Sequence, residues 1–378
     1  MNKILITVTT ALFFFCASLQ AQNLGLEIEY LFTVGEELEF GESGYLYNPV
    51  GVITDSHGNI IVADHQGRVL HIYNQSGKYL QSVGAPGRGP GEFSRITEIA
   101  LDENDNLLVL DRFQFKVAKF NIETGSIEEF IYEDMPGMTN MTLAPLKNDK
   151  FATIYVDLGA PGNTDVNTKA LRVYEFGEEE YISSHFQIFK YQFDKMIPIE
   201  ENMGRGIGHK LTSVDGNRVA AGHRVYKGKL FLINTNSGDV IIAENPNVGA
   251  PFYVEYDVDS ISEMQGINGL VSSSGRGGNY KYQILYYSML LDANKNYLYH
   301  IYRQNEKEAE TIGDYVELYS LDGTFIDQFS LSEHLEYGED VRLYYSHIDN
   351  ENRLFVRRYF DDRDPDVRVY SLNINQDE

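Results

Sequence analysis

The sequence predicts an all-β chain: a six-bladed β-propeller of four-stranded antiparallel blades, with the N-terminal strand completing the C-terminal blade. Three observations carry the prediction. First, one unit is written twice. Val52 to Asp64 is repeated as Ile99 to Asp111, with Asp55 and Asp102 47 positions apart. Each copy goes on to two more β-rich runs separated by polar turns, and a four-strand unit of this period is the mark of a propeller blade. Second, the hairpin of that unit recurs six times, at Asp55–Asn59, Asp102–Asn106, Asn148–Lys150, Asp215–Asn217, Asp292–Asn296 and Asp349–Arg353. Third, the chain opens on a strand without a blade, Leu26 to Val34, and its last unit stops at Asn373 to Glu378 without a fourth strand. Joining the two leaves the sheet no open edge.

Met1 to Ala21 reads as a secretory signal peptide. Lys3 is its only charge, Ile4 to Leu19 is almost wholly apolar, and Ala21 is a small residue at the cut. The run is too short and too near the N-terminus for a spanning anchor, and no later run approaches spanning length. The expectation is an exported chain, periplasmic or secreted, with no membrane insertion. Cys16 is the single cysteine. The alternative is a lipoprotein cut that leaves Cys16 first, but Phe13 to Phe15 precede it where a small residue is wanted. Removal of Cys16 with the signal leaves no thiol, so disulfides are excluded and packing must hold the fold.

Residues 22–378 are expected to form one domain. A length of 378 suggests two or three units at ~150 residues each, but stacked blades share one core. The 27 Tyr and 21 Phe suit strands and blade-to-blade packing. A net charge of −25 argues against nucleic acid or an anionic membrane as partner.

In order, the third strands are expected at His71–Asn74, Lys119–Asn121, Arg172–Tyr174, Phe231–Asn234, Glu317–Ser320 and Arg368–Ser371. Fourth strands follow at Tyr79–Val83 and Ile127–Ile131. Two insertions break the period, residues 157–170 inside the third blade and 245–283 between the fourth and fifth. Within the second, Ser260 and Glu263 make a capping-box pattern that predicts a short helix to Leu270. Asp64 and Asp111 close the second strand of consecutive blades. Their repetition points to a structural role, hydrogen bonding to loop amides.

Antiparallel connectivity sorts the loops onto two faces. The six Asp/Asn hairpins share a plain face. The second-to-third-strand loops, the links between blades and both insertions share the other, where function is expected. Three links there contain Gly-Arg-Gly, around Arg88, Arg205 and Arg276. Arginine suits bidentate recognition of carboxylate or phosphate, and flanking glycines let a ligand approach the backbone. Arg112, His223 and Arg224 add to the same face, with His65, Arg303 and Arg358 as further candidates. The competing reading gives each Gly to its turn and each Arg to solvent, and Glu92 to the turn rather than to general-base chemistry. His65, His223 and His300 fall near the ends of second strands and are weak candidates for an axial metal. No His-Glu-x-x-His, nucleophile elbow or Walker loop is present, and no cofactor is indicated.

Gly84 to Phe93, followed by Ile99 to Asp102, resembles the blade junction of exported NHL-repeat-like six-bladed propeller proteins of Bacteroidetes-type bacteria. The likeness is specific over residues 48–130 and carries only turns and strand tails beyond. It implies no single activity, because the wider group includes sensors, scaffolds, lyases and metal-dependent lactonases. The expected function is therefore non-catalytic: binding of a protein, or of an anionic small molecule or glycan, on the loop face. The alternative is a metal-dependent hydrolase or lyase with its site on the axis. Without Trp, sugar stacking falls to Tyr or Phe.

Overall fold

In the computed structural model, six four-stranded antiparallel sheets follow one another along the chain. The structure describes residues 24–131, 142–156, 169–178, 180–185, 209–223, 226, 228–248, 253–257, 270–275, 278–284, 286–305, 312–335 and 341–376. Blade one is Pro49–Thr54, Ile60–Asp64, Val69–Tyr73 and Tyr79–Val83. Blade two is Ile96–Leu101, Asn106–Asp111, Lys116–Asn121 and Ile127–Ile131. Blade three comprises Ala144–Leu146, Lys150–Val156, Lys169–Glu175 and Ser183–His185, and blade four His209–Ser213, Arg218–His223, Lys229–Asn234 and Val240–Glu244. Blade five contains Tyr286–Ala293, Tyr297–Asn305, Ile312–Ser320 and Phe325–Ser330. Blade six takes three strands from the chain's end, Val341–Ile348, Arg353–Phe360 and Asp366–Gln376, and its outer strand, Leu24–Thr33, from the start. That pairing is antiparallel, from Leu24 opposite Gln376 to Thr33 opposite Arg368.

The hairpins form because one side chain holds each turn. Asp55 Oδ1 accepts from the amides of His57 and Asn59 at 3.0 and 2.8 Å, and Oδ2 from Asn59 Nδ2 at 2.8 Å. Asp102 repeats this with Asn104 and Asn106. At Asp215 and Asp349 an arginine, Arg218 or Arg353, replaces the closing Asn, with its Nε 2.7 Å from the carboxylate. Blade three turns differently. Asn148 and Asp149 both have positive φ, 60° and 57°, the backbone of a two-residue hairpin that Asn and Asp tolerate. In blade five the turn is held by Asn294, which accepts from the amides of Asn296 and Tyr297. Asp292, read from sequence as a turn residue, lies inside the first strand and faces elsewhere.

Six apolar clusters each bridge two neighbouring blades. Ile61 and Val109 join blades one and two, Leu108 and Phe151 two and three, and Ile154 and Phe231 three and four. Leu232 and Leu298 join four and five, Ile301 and Val356 five and six, and Val62 and Phe355 one and six. The blades thus form a ring, with a core between each pair rather than at one centre.

The signal-peptide residues and the insertion at 157–170, apart from the start of a strand at Lys169, lie outside the described residues. So does the helix expected from Ser260, except Leu270, which begins a strand. The second insertion adds a small antiparallel sheet missed by the sequence reading: Tyr253–Asp257 and Leu270–Gly275 flank Gly278–Ile284. No helix among the described residues is long and apolar enough to cross a membrane.

Candidate functional site: the loop face and the axis

Asp64 and Asp111 stand where the second strands reach the loop face, and both are fully buried. Asp111 Oδ2 accepts from the amides of Ser94 and Arg95 at 2.6 and 3.1 Å, and Oδ1 from those of Phe113 and Gln114 at 2.9 and 3.0 Å. Asp64 does the same with Tyr47, Asn48 and Gly67. Each carboxylate ties the link entering its blade to the loop leaving the second strand. Asp111→Asn turns one acceptor oxygen into a donor facing two amide donors. It is expected to cost ~2 kcal/mol, read as a lower denaturation midpoint with unchanged slope.

The first Gly-Arg-Gly link is a structured turn. The amides of Arg88 and Gly89 both donate to Glu92 Oε2 at 2.8 Å, so Glu92 is a turn residue. A Cβ at Gly87 would meet that same oxygen at 1.9 Å. Here the glycine serves the turn, and the Arg88 side chain stands exposed on its crest. Arg205 and Arg276 lie outside the described residues, as does Arg224. Arg112 is half-buried in the loop after Asp111, and His223 is buried at the end of its strand.

Three of the other candidates are corrected by the structure. Arg303 and Arg358 belong to second strands rather than loops, and each grips an acidic residue across its sheet. Arg303 Nε and Nη2 lie 2.7 and 3.0 Å from the two oxygens of Asp314, which also accepts from Tyr345 OH at 2.8 Å. Arg358 Nε lies 2.7 Å from Asp366 Oδ1, with Nη2 on Oδ2. His300 is the fourth residue of a nine-residue strand, not near its end, and is fully buried. Its Nδ1 lies 2.8 Å from Glu317 Oε2 and its Nε2 2.8 Å from Ser288 Oγ. Glu317 also accepts from Tyr226, Tyr319 and Asn245. Burial, then the Glu317 charge, pushes the Tyr226 phenol well above its ordinary value. Among the described residues no three His, Cys, Asp or Glu side chains gather to hold a metal.

Two sites were not read from the sequence. One is a cavity of about 740 Å³ on the loop face of blade six. Its walls come from the two outer strands of that blade, the segment after Thr33, and the loop carrying Arg363 and Asp364. Tyr30, Tyr45 and Tyr370 line it. Tyr45 OH donates to Asp364 Oδ2 at 2.5 Å, and that bond, with burial and the Asp364 charge, pushes the phenol up to about 12. Arg358 is committed to Asp366. Arg363 is exposed, with its guanidinium 3.6 Å from the centre of the Phe360 ring, and it makes no ion pair among the described residues.

The other site is the axis. Four inner strands carry a β-bulge, between Pro49 and Gly51, Ile96 and Glu98, Ser288 and Leu290, and Tyr345 and His347. A bulge re-aims the side chains that follow it. Toward the plain face a hydrogen-bonded girdle joins four blades. His347 Nε2 lies 3.1 Å from Thr54 Oγ1, His347 Nδ1 2.6 Å from Asp292 Oδ2, and Asp292 Oδ1 3.5 Å from Thr212 Oγ1. With Nδ1 donating to the carboxylate, a neutral His347 accepts from Thr54. Toward the loop face, Glu98 of blade two meets the fields of Lys210 from blade four, Arg357 from blade six and Asp292 from blade five. Enclosure by protein pushes the Glu98 carboxyl up to about 7. Lys210 and Arg357 hold it down in part, and Asp292 adds to the rise. The signal was present in the sequence as a charge within the apolar strand Ile96–Leu101, but its partners lie in three other blades.

The chain belongs to the DUF5128 family, described as a 6-bladed beta-propeller, which it matches over residues 42–242, a little over half its length. It is similar to a Bacteroides vulgatus member of the duf4221 family, with 10% identity, 94% of this chain and 100% of the other covered, and a TM-score of 0.57. It is similar as well to a Bacteroides fragilis protein named for its suspected export, at 14% identity, 95% and 97% coverage, and a TM-score of 0.53. Both show the fold alone. Virginiamycin B lyase from Staphylococcus aureus aligns at 12% identity over 93% of this chain and 100% of the lyase, with a TM-score of 0.41, too loose a likeness to carry an argument. No curated protein matches the chain in sequence.

Proposed function

We propose that this is an exported, non-catalytic binding propeller whose loop-face cavity takes an acidic glycan or a comparable small anion. The observation that carries the reading is the 740 Å³ cavity beside blade six, lined by three tyrosines and edged by Arg363. Its volume lies within the range of small-ligand sites, ~300–1,000 Å³. Tyr30 is half exposed at its wall and offers a ring to a sugar face. The Arg363 guanidinium, 3.6 Å from the centre of the Phe360 ring, forms no ion pair among the described residues and offers a carboxylate a bidentate partner. Export is supported by the apolar run Ile4 to Leu19.

The test is calorimetric titration with matched oligosaccharides, one neutral and one bearing uronic acid. The uronate form is expected to bind and the neutral form to bind at least tenfold more weakly. Arg363→Ala is expected to lower affinity for the uronate about tenfold or more, as for loss of a charge-assisted pair of ~1.5–3 kcal/mol, with an unchanged melting temperature. Equal affinities for the two sugars, or no effect of the substitution, defeats the reading. Arg88→Ala, Arg205→Ala and Arg276→Ala in the same titration test whether the Gly-Arg-Gly links reach this ligand.

A further inference from the structure

We propose that the loop face is a self-association surface: a patch of Arg88, Arg95, Phe113 and Phe115 on blade two takes the Phe40 turn of a second copy of the chain, and a two-fold rotation makes that contact twice. This goes beyond the glycan reading, since it uses neither Arg363 nor Tyr30 and stands whether or not the cavity binds a sugar.

The patch is built by Gln114. Its Nε2 donates to the Gly87 and Glu92 carbonyls at 2.9 and 3.2 Å and to Asp111 Oδ2 at 3.0 Å, which fastens the loop of blade two to the link that enters it. With Gln114 held inward, its neighbours Phe113 and Phe115 stand 60% and 41% exposed. The turn itself asks for neither ring. Blade one makes the same turn with Gln66 and Arg68 at those places, and Arg68 and Phe115 share a positive φ, 54° and 51°. A bulky residue is uncommon in that conformation, and two exposed rings on one short, fixed loop form an apolar patch, the feature that marks contact sites. The Arg95 guanidinium lies 5.1 Å from the centre of the Phe113 ring, and Arg88 follows the Gly87 carbonyl that Gln114 holds. Both arginines are exposed, and neither makes an ion pair among the described residues. The neighbouring acids are spent within the protein: Glu92 on the amides of Arg88 and Gly89, Asp111 on four amides, and Glu129 on Lys116 at 2.7 Å. Arginine and aromatic rings on a fixed loop are what protein contacts concentrate.

The complement lies on the same face, in the link that enters blade one. Phe40, 75% exposed, tips the turn that runs from Gly35 to Tyr45. The Glu39 amide donates to Glu42 Oε2 at 2.9 Å and the Tyr45 amide to the Glu42 carbonyl at 3.1 Å. The Phe40 ring stands edge-on to Tyr45 and Tyr47 at 5.7 and 5.6 Å, so the tip is fixed too. Glu37 and Glu39 flank it, exposed and without an ion pair among the described residues. A ring between carboxylates complements rings beside guanidinium groups, in charge and in apolar contact alike. Patch and tip are different surfaces on one face. A two-fold rotation that turns two loop faces together therefore sets each tip on the other copy's patch. The net charge of −25 repels two copies at long range, but at ~0.15 M salt screening cuts that range to ~8 Å, and the charges that touch decide. Two contacts of this kind are small, so the dimer is weak and forms only in concentrated protein.

The experiment is sedimentation velocity of the mature chain from about 5 to 500 μM at about 0.15 M salt. Wild type is expected to run as monomer at the dilute end and as dimer at the concentrated end. Phe40→Ser and Phe113→Ser are each expected to weaken association about tenfold or more with unchanged melting temperatures, because both side chains are exposed. The deciding measurement uses two charge-reversed chains. Arg88→Glu with Arg95→Glu gives a copy that is acidic at both surfaces, and Glu37→Arg with Glu39→Arg gives one that is basic at both. Each alone is expected to stay monomeric and their mixture to associate, since both contacts of the mixed dimer pair opposite charges. Arg363→Ala is expected to leave association unchanged, which separates this surface from the glycan cavity. A monomer at every concentration, dimerisation that survives Phe40→Ser or Phe113→Ser, growth past the dimer, or a mixture that stays monomeric overturns the proposal. Loss of association in Arg363→Ala overturns it too, by placing the contact at the cavity.

Discussion

Deletion of residues 24–33 is expected to lower stability by about 5 kcal/mol or more, roughly 5–10 °C in melting temperature for a chain of this size, and to promote aggregation. The strand is only partly buried, so burial within it is not the main cause. What it covers matters more. Its removal strips the partner from the strand Asp366–Gln376 and leaves a row of free backbone groups that other chains can pair with. It also uncovers Val369 and Leu372, which are fully buried, and removes Leu26 and Ile28 from the core between blades five and six. Each backbone bond is worth ~1 kcal/mol net, and ordering the strand returns part of that, so the estimate stays well below the sum of its contacts. Adding a synthetic peptide of residues 22–35 is expected to restore part of the loss. A truncated chain that stays monomeric with an unchanged melting temperature would falsify this account of the first strand.

Glu317→Ala is the second large effect, expected at about 3–5 kcal/mol. Glu317 is fully buried between blades four and five. Tyr226, which follows the second strand of blade four, donates to Oε2 at 2.7 Å; Tyr319 donates to it at 3.0 Å and His300 lies 2.8 Å away. Asn245, at the exit of blade four, reaches Oε1. Alanine leaves these polar groups facing one another in a dry space. Glu317→Gln keeps the shape and one acceptor, so it should cost clearly less, about 1–2 kcal/mol. Chemical denaturation of the pair is the check. Equal losses in both variants would mean that packing, rather than the hydrogen-bonded charge, joins the blades here.

The fold was legible because the turn chemistry repeats. Asp55, Asp102, Asp215 and Asp349 each hold a hairpin through their own carboxylate, so the local pattern states the local structure. Asp64 and Asp111 were legible for the same reason, since each serves amides of its own blade and the link that enters it. Asp292 looks like the other turn aspartates in sequence, yet a shift of two residues hands the turn to Asn294 and leaves Asp292 to His347 of the next blade. Arg303 and Arg358 looked like loop cations because their acidic partners, Asp314 and Asp366, lie across a loop in the following strand. Glu98, Lys210 and Arg357 come from blades two, four and six. The fields of Lys210 and Arg357 reach Glu98 from other blades, a relation that no stretch of sequence spells out.

The six separate cores differ in how far apart in the chain their partners lie. Five of them join blades adjacent in the chain and can form as the polypeptide lengthens. The sixth brings Val34, Leu46 and Val62 to Phe355 and Val369, with nearly the whole chain between. The entropic cost of so large a loop grows only with the logarithm of its length, but contacts this distant in sequence are slow to find. Closing that interface is therefore expected to come last in folding. Until it happens, the partly built ring presents the apolar faces of blades one and six, and the interval before closure is the one in which neighbouring chains compete for them.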